Sequence, residues 1–216
     1  MQTELTSAQQ ASLRQGCAAM EIALSETQCQ LLGQYLVLFH KWNKAYNLSS
    51  VRQLDDMVGR HVLDSLSVLN HLANDNAQRF IDVGTGGGLP GIPLAIALPH
   101  WQWTLLDSNG KKTRFLTEVV ARLQLSNVQV ANVRVEAFTP EQPFDGVISR
   151  AFASLEDMIT GCRHLLTDGG YFWAMKGQYP SAELDAKPGD IQLLQTWPLE
   201  VPGEVGERHL LQLRKG

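Results

Sequence analysis

The spacing of apolar positions changes once along the chain, near residue 79. Before that point apolar residues recur at helical spacing. Leu31, Leu32, Tyr35, Leu36, Leu38, Phe39 and Trp42 form one such run. Ser25-Glu-Thr-Gln28 ahead of it fits a capping box, with Gln28 able to reach back to the cap. A second run covers Met57, Val58, His61, Val62, Leu63, Leu66, Val68, Leu69 and Leu72. The segment HKWNKAYNLSSVR between them is polar with two aromatics, and Asn74-Asp-Asn-Ala77 reads as a linker.

From Phe80 onward, short apolar runs alternate with helical ones. FIDVG (80–84), WQWTLLD (101–107), VQVANVRVE (128–136), FDGVISRAF (144–152) and YFWAMKG (171–177) predict strands. Helices are predicted over 90–98, over 111–125, and from the end of the fourth strand to about residue 166. Asp168-Gly-Gly170 predicts a turn. Such alternation indicates a parallel, doubly wound sheet. The tail differs. DIQLLQTWPLEV and ERHLLQLRK are two strand patterns with no helix between them, which predicts an antiparallel hairpin closing one sheet edge. The expected organisation is an N-terminal helical extension, residues 1–76, and an α/β domain, residues 77–216.

Composition narrows the class. Apolar residues make up 44% and charged residues 19%, as in a folded globular chain. No apolar run is long enough to predict a membrane span, and MQTELTSAQQ has neither the basic nor the apolar region of a secretory signal. Cys17, Cys29 and Cys162 are an odd number at no metal-ligand spacing, which predicts reduced thiols, a cytoplasmic setting and no metal. Nothing requires more than a monomer. The net charge is −4, so any surface for a polyanion must be a local patch.

The candidate chemistry starts at RFIDVGTGGGLPGIPLAIALP (79–99), where a strand runs into a glycine loop and then a helix. The dinucleotide pattern G-x-G-x-x-G fits at Gly86, Gly88 and Gly91, but late, with Pro90-Gly91 where the helix should already be under way. The pattern D-x-G-x-G-x-G fits at Asp82, Gly84, Gly86 and Gly88 without strain. A carboxylate before the loop suits a ligand with a cationic amine or sulfonium and is awkward beside a pyrophosphate. Asp107, 23 residues beyond Gly84 at the end of the second strand, is placed to hold ribose hydroxyls in either case. Asp82 and the terminal hairpin favour S-adenosylmethionine over NAD.

These stretches, with TLLDSNGKKTRFL, FDGVISRAFASL, MKGQ and HKWNKAYNL, resemble the glucose-inhibited division protein B family from about residue 25 to the end. The resemblance implies a class I S-adenosylmethionine-dependent methyltransferase of Rossmann-like fold. It implies methyl transfer to a guanine N7 of 16S ribosomal RNA in the small subunit. It also implies a cofactor pocket that includes Gly84, Leu89, Val135, Glu136 and Arg150. Many relatives have a residue other than glycine where Gly87 stands. Guanine N7 carries a lone pair and no proton, so its methylation needs no general base.

Arg150, at the end of the fourth strand, is placed where cofactor and substrate meet, unless it pairs with an acid such as Glu136. Arg134 either steers phosphate or sits on the solvent face. Lys176 ends the fifth strand on the same rim. These three are the candidate catalytic residues. Lys111, Lys112 and Arg114 open a helix against its dipole, which fits an RNA-facing patch as well as a solvated face. Arg208 opens the last strand, and Lys41, Lys44 and Arg52 flank Trp42 and Tyr46; both sets are candidate RNA contacts. Trp42 and Tyr46 also fit a plain contact between helices, and Cys162 and His164 read as structural. Two rivals stay open: an NAD-dependent oxidoreductase on a similar sheet, and a non-catalytic RNA-binding module.

Overall fold

The change of period near residue 79 is a change of architecture. The computed structural model describes residues 4–72, 78–150 and 152–216. The predicted linker 74–77 and the expected boundary after residue 76 lie outside the described residues. The extension opens with α1 (Ser7–Ala19) and α2 (Glu26–Tyr46). Each begins with a reciprocal capping box, Thr6 with Gln9 and Ser25 with Gln28. The second box also ties the extension down. Gln28 Nε2 donates to the carbonyls of Ile96 and Ala97, at 2.9 and 3.0 Å.

The second periodic run is not one helix. It comprises α3 (Leu54–Met57), a π-helical turn (Val58–Leu63), α4 (Asp64–Leu66) and α5 (Leu69–Leu72). The wider turn keeps Val58, Val62, Leu63 and Leu66 buried while bringing His61 and Asp64 inward as well. Short π segments of this kind are frequent at functional sites.

The sheet holds β1 (Arg79–Val83), β2 (Gln102–Leu106), β3 (Val128–Ala131), β4 (Phe144–Ser149), β5 (Leu166–Lys176), β6 (Ile191–Pro198) and β7 (His209–Lys215). Helices α6 (Gly91–Ala97), α7 (Gly110–Leu123), α8 (Leu155–Cys162) and α9 (Ser181–Asp185) connect them. The spatial order is β3-β2-β1-β4-β5-β7-β6. The first five strands are parallel, and β7 runs antiparallel between β5 and β6, so the terminal hairpin closes that edge. The order reverses between β1 and β4, the switch point at which ligands of such sheets bind.

Strand periodicity divides the core into two layers. Phe80, Trp103, Leu105, Ile148, Trp173, Met175 and Leu210 face the layer that contains α2, α6, α7 and the rest of the extension. Their neighbours Ile81, Leu106, Val147, Phe172, Ala174 and Leu211 face α8. The helical extension therefore covers one face of the sheet.

Three predicted boundaries move. The third strand stops at Ala131, and Val135–Ala137 is a 3-10 turn. The fourth stops at Ser149, which leaves Arg150 just beyond the strand. Asp168-Gly-Gly170 does not precede β5 but lies inside it, as a bulge where the pairing jumps from Phe144–Leu166 to Gly146–Tyr171. Among the described residues no helix is long and apolar enough to cross a membrane.

Candidate active site

The loop after β1 is built from backbone. Gly84, Gly86 and Gly88 have φ of 71°, 61° and 90°, a region that L side chains rarely adopt. The N–H groups of Gly84 and Thr85 donate to the Leu106 carbonyl at the end of β2, at 2.9 and 3.1 Å. Gly88 is crowded as well as twisted, since a Cβ there would lie 2.5 Å from Ile92 Cγ1 and 2.9 Å from Leu116 Cδ2. Gly87 is required for a different reason. A Cβ there would overlap the ring of Phe39 on α2, and the Gly87 carbonyl accepts a 2.7 Å hydrogen bond from the buried Tyr35 hydroxyl. The absence of a side chain at Gly87 lets the extension press directly on the loop.

Asp82 takes a role other than the one expected. Its side chain is fully buried rather than open to a ligand. Its Oδ2 accepts from the Thr85 hydroxyl at 2.6 Å and from the Gly91 N–H at 2.8 Å. The carboxylate thus braces the loop and caps the start of α6. Burial raises its pKa to about 6, against the lowering effect of those two hydrogen bonds. Asp107 keeps its predicted place. Its Oδ2 accepts from the Gly86 N–H at 2.9 Å, its Oδ1 from the Asn109 N–H at 2.8 Å, and Lys112 Nζ lies 3.6 Å away. Asp82 therefore ties the start of the loop to the start of α6, and Asp107 holds Gly86 between those two points. Leu89 is 5% exposed and packs into the core, so of the pocket residues implied by resemblance it offers the least surface.

The other rim, beyond β4 and β5, is built from long side chains. Arg150 does not pair with Glu136. Its Nη1 donates to Asp64 Oδ2 at 2.8 Å, and Arg208 Nε donates to Asp64 Oδ1 at 2.7 Å. Glu204 adds to the network, 3.3 Å from Arg60 Nε and 3.9 Å from Arg208 Nη2. Asp64, Arg150, Met175, Lys176, Leu199 and Arg208 are among the residues lining a cavity of about 250 Å³. Lys176 is largely committed within the protein: Nζ pairs with Glu183 at 2.8 Å and donates to the Phe152 carbonyl at 3.3 Å. It fastens the segment after Arg150 rather than presenting a free cation.

The remaining candidates divide. Arg134, Lys41, Lys44, Lys111 and Arg114 are exposed, as is Glu136, while Val135 is half-buried. Lys112 is drawn to Asp107. Arg52 closes the end of α2, with Nη2 bonded to Asn47 Oδ1 at 2.9 Å and Nη1 to the Asn43 carbonyl at 3.3 Å. Trp42 is half-buried against Phe115, 5.5 Å between ring centres, and stacks on Tyr46 at 4.9 Å. The plain helix contact describes Trp42, and Tyr46 remains exposed at 39%.

The family model for rRNA small subunit methyltransferase G matches residues 28–211. The chain belongs to that family. A "Ribosomal RNA small subunit methyltransferase G" of Ectopseudomonas mendocina is 54% identical over 203 residues, covering 94% of each chain. One from Pseudomonas fluorescens is 52% identical over 215 residues, covering 100% of this chain and 99% of the relative. More distant likenesses concern the fold alone. A ribosomal protein L11 methylase from Lactobacillus delbrueckii superposes with a TM-score of 0.56 at 16% identity, over 71% of this chain and 77% of the other. A precorrin-6y C5,15-methyltransferase from Geobacter metallireducens gives 0.53 at 13%, over 80% and 93%. The fold is that of the class I methyltransferases.

Within that family frame, four residues near the site were not singled out from the sequence. Asp64, Tyr35, Phe39 and His61 all sit in apolar helical runs, where they read as packing. His61 is 4% exposed, its ring lies 5.1 Å from that of Phe39, and neither ring nitrogen has a partner among the described residues. Burial lowers its pKa to about 4, so it is neutral at pH 7. A charged residue inside an apolar run, as Asp64 is, was the one signal available.

Proposed function

We propose that this chain transfers the methyl group of S-adenosylmethionine to N7 of a guanine in 16S ribosomal RNA. The carrying observation is the glycine loop closed by Asp107, set across the switch point from Arg150 in a chain of this family. The residues fit the cofactor. At Gly86 a Cβ would come no nearer than 3.9 Å to any neighbouring atom, so the lip of the loop is open. Asp107 and Gly86 would hold a ribose, and Gly84, Val135 and Arg150 would line the rest. When bound, the cofactor supplies an electrophilic methyl on a positively charged sulfur.

What the protein contributes is positioning. Guanine N7 presents a lone pair, so no side chain must remove a proton. Holding two reactants in line replaces an encounter in solution and can supply several kcal/mol of the barrier. Arg150, held on Asp64, lines the cavity just beyond the end of β4, and its position supports a role in binding the substrate. Its remaining N–H donors suit guanine O6 or a phosphate. Lys176 keeps the chain after Arg150 in place through Glu183 and the Phe152 carbonyl.

The NAD-linked reading loses support from the loop itself. A pyrophosphate needs the first N–H groups of the helix. Here the Gly91 N–H is already bonded to the buried Asp82 carboxylate. Methyl-transfer assays on small subunits from cells lacking the modification, with mass mapping of the rRNA, test the proposal. A single added methyl on one guanine is expected. No modified guanine, or cofactor binding without product, would replace it with the RNA-binding-module reading.

A further inference from the structure

We infer that Asp64 is a positioning residue that aims Arg150 and Arg208 together at one phosphate of the RNA strand. The inference rests on the rRNA-methylation reading above and adds to it a working role for the helical extension. Asp64 comes from α4, Arg150 from the end of β4, and Arg208 from just ahead of β7. Each oxygen of the one carboxylate takes one guanidinium, at 2.7 and 2.8 Å. Two arginines this close repel each other unless an anion lies between them. Asp64 supplies that anion from a well-buried position, with 11% of its side chain exposed against 32% for Arg150.

The rest of the network fixes the pair further. Arg208 Nη1 donates to the Gly206 carbonyl at 3.0 Å, and Arg150 Nη1 lies 3.4 Å from the Arg60 carbonyl. Arg150 makes these contacts through Nη1 alone, which leaves Nε and Nη2 without a hydrogen bond among the described residues. Arg60, Arg150 and Arg208 outnumber the two carboxylates they pair with, Asp64 and Glu204, while Glu207 lines the same cavity without an ion pair among the described residues. Two planar, preset guanidiniums beside one cavity match the several oxygens of a phosphate.

The sign of one effect decides the matter. Asp64→Asn removes a negative charge. If Asp64 only masks the arginines, this variant binds RNA more tightly. If Asp64 aims them, it binds more weakly despite its more favourable charge. We expect the Kd for rRNA extracted from undermethylated small subunits, measured by filter binding at fixed salt, to rise about tenfold. The KM for those subunits should rise with it. Asp64→Glu should restore most of the loss. On an Arg150→Lys/Arg208→Lys background, which lacks the two forks, Asp64→Asn should add nothing further. Unchanged or tighter RNA binding by Asp64→Asn overturns the inference, as does an additive loss on the double-lysine background. Should Asp64→Asn not fold, Arg208→Lys decides: it keeps the charge and loses the fork, and a wild-type Kd there overturns the inference. A wild-type enzyme that binds rRNA but forms no methylguanine would overturn the functional reading and leave this binding test intact.

Discussion

The two rims of the site are built in opposite ways. The loop after β1 is held by its backbone, by the carboxylates Asp82 and Asp107 at the ends of two adjacent strands, and by the Tyr35 hydroxyl, with no long cationic side chain in these bonds. The rim beyond β4 and β5 is held by side chains that cross between distant parts of the chain, with Asp64 joined to Arg150 and to Arg208. The difference follows from the ligands proposed for each. A small cofactor needs the backbone close and a fixed shape, and backbone hydrogen bonds supply both. An RNA strand approaches from solvent and carries repeated negative charge, which calls for long cationic side chains held ready. The loop should therefore be sensitive to shape and the rim to charge and hydrogen bonding.

The sharpest test of that contrast is Arg150→Ala. Methyl transfer should fall by roughly a hundredfold or more, as when one transition-state donor is removed. The fold should survive, because Asp64 keeps Arg208 as a partner. Thermal unfolding beside a single-turnover assay separates the two effects, and normal transfer would remove Arg150 from the site. Gly88→Ala should show the reverse pattern. It places a Cβ at φ 90° and against Ile92 and Leu116. A loss of about 3 kcal/mol in unfolding free energy is expected from overpacking plus backbone strain. Cofactor affinity should fall with it, and wild-type denaturation by urea would show that the loop is not shape-limited.

A pH experiment probes the buried side of the loop. The folded-state pKa of Asp82, about 6, lies above its ordinary value of 3.8. The stability gained from its protonation is therefore complete below the lower value and lost as pH rises through the upper one. Lowering the pH from 7 to 4 should stabilise the wild type relative to Asp82→Asn by about 2–3 kcal/mol. A pH-independent difference between the two would mean that Asp82 titrates normally. The smallest effects belong to the outer patch. Lys111→Ala and Arg114→Ala should each reduce the slope of log Kd against log salt for rRNA by about one, if each meets a phosphate. Lys112→Ala should change that slope less, because Lys112 lies against Asp107. Equal slopes for all three variants would erase the distinction.

How much could be read in advance differs between the rims for the same reason. The loop was legible because its determinants lie within about ten residues: Asp82, the alternating glycines, and Gly91 opening the next helix. A carboxylate at a strand end is expected to face the ligand, and Asp82 departs from that expectation. Asp82 faces inward, where its carboxylate accepts from the Gly91 N–H and the Thr85 hydroxyl. At the other rim the residue types and strand-end positions of Arg150, Lys176 and Arg208 are legible in the sequence. Their partners are not. The strand pattern offers Glu136 as the nearby acid for Arg150, whereas Asp64 lies 86 residues away in a run whose pattern is that of apolar packing.

The sequence by itself determined most of the elements, the parallel sheet with its terminal hairpin, and the glycine loop after β1. Those depend on local periodicity and on what glycine and aspartate do to the backbone around them. Only the tertiary structure decided which charges meet. It turned Asp82 inward, drew Lys112 to Asp107, and laid the helical extension over the sheet so that Phe39 touches Gly87 and Asp64 binds two arginines. Ion pairs between distant segments depend on how the whole chain packs, and local sequence patterns do not encode that packing.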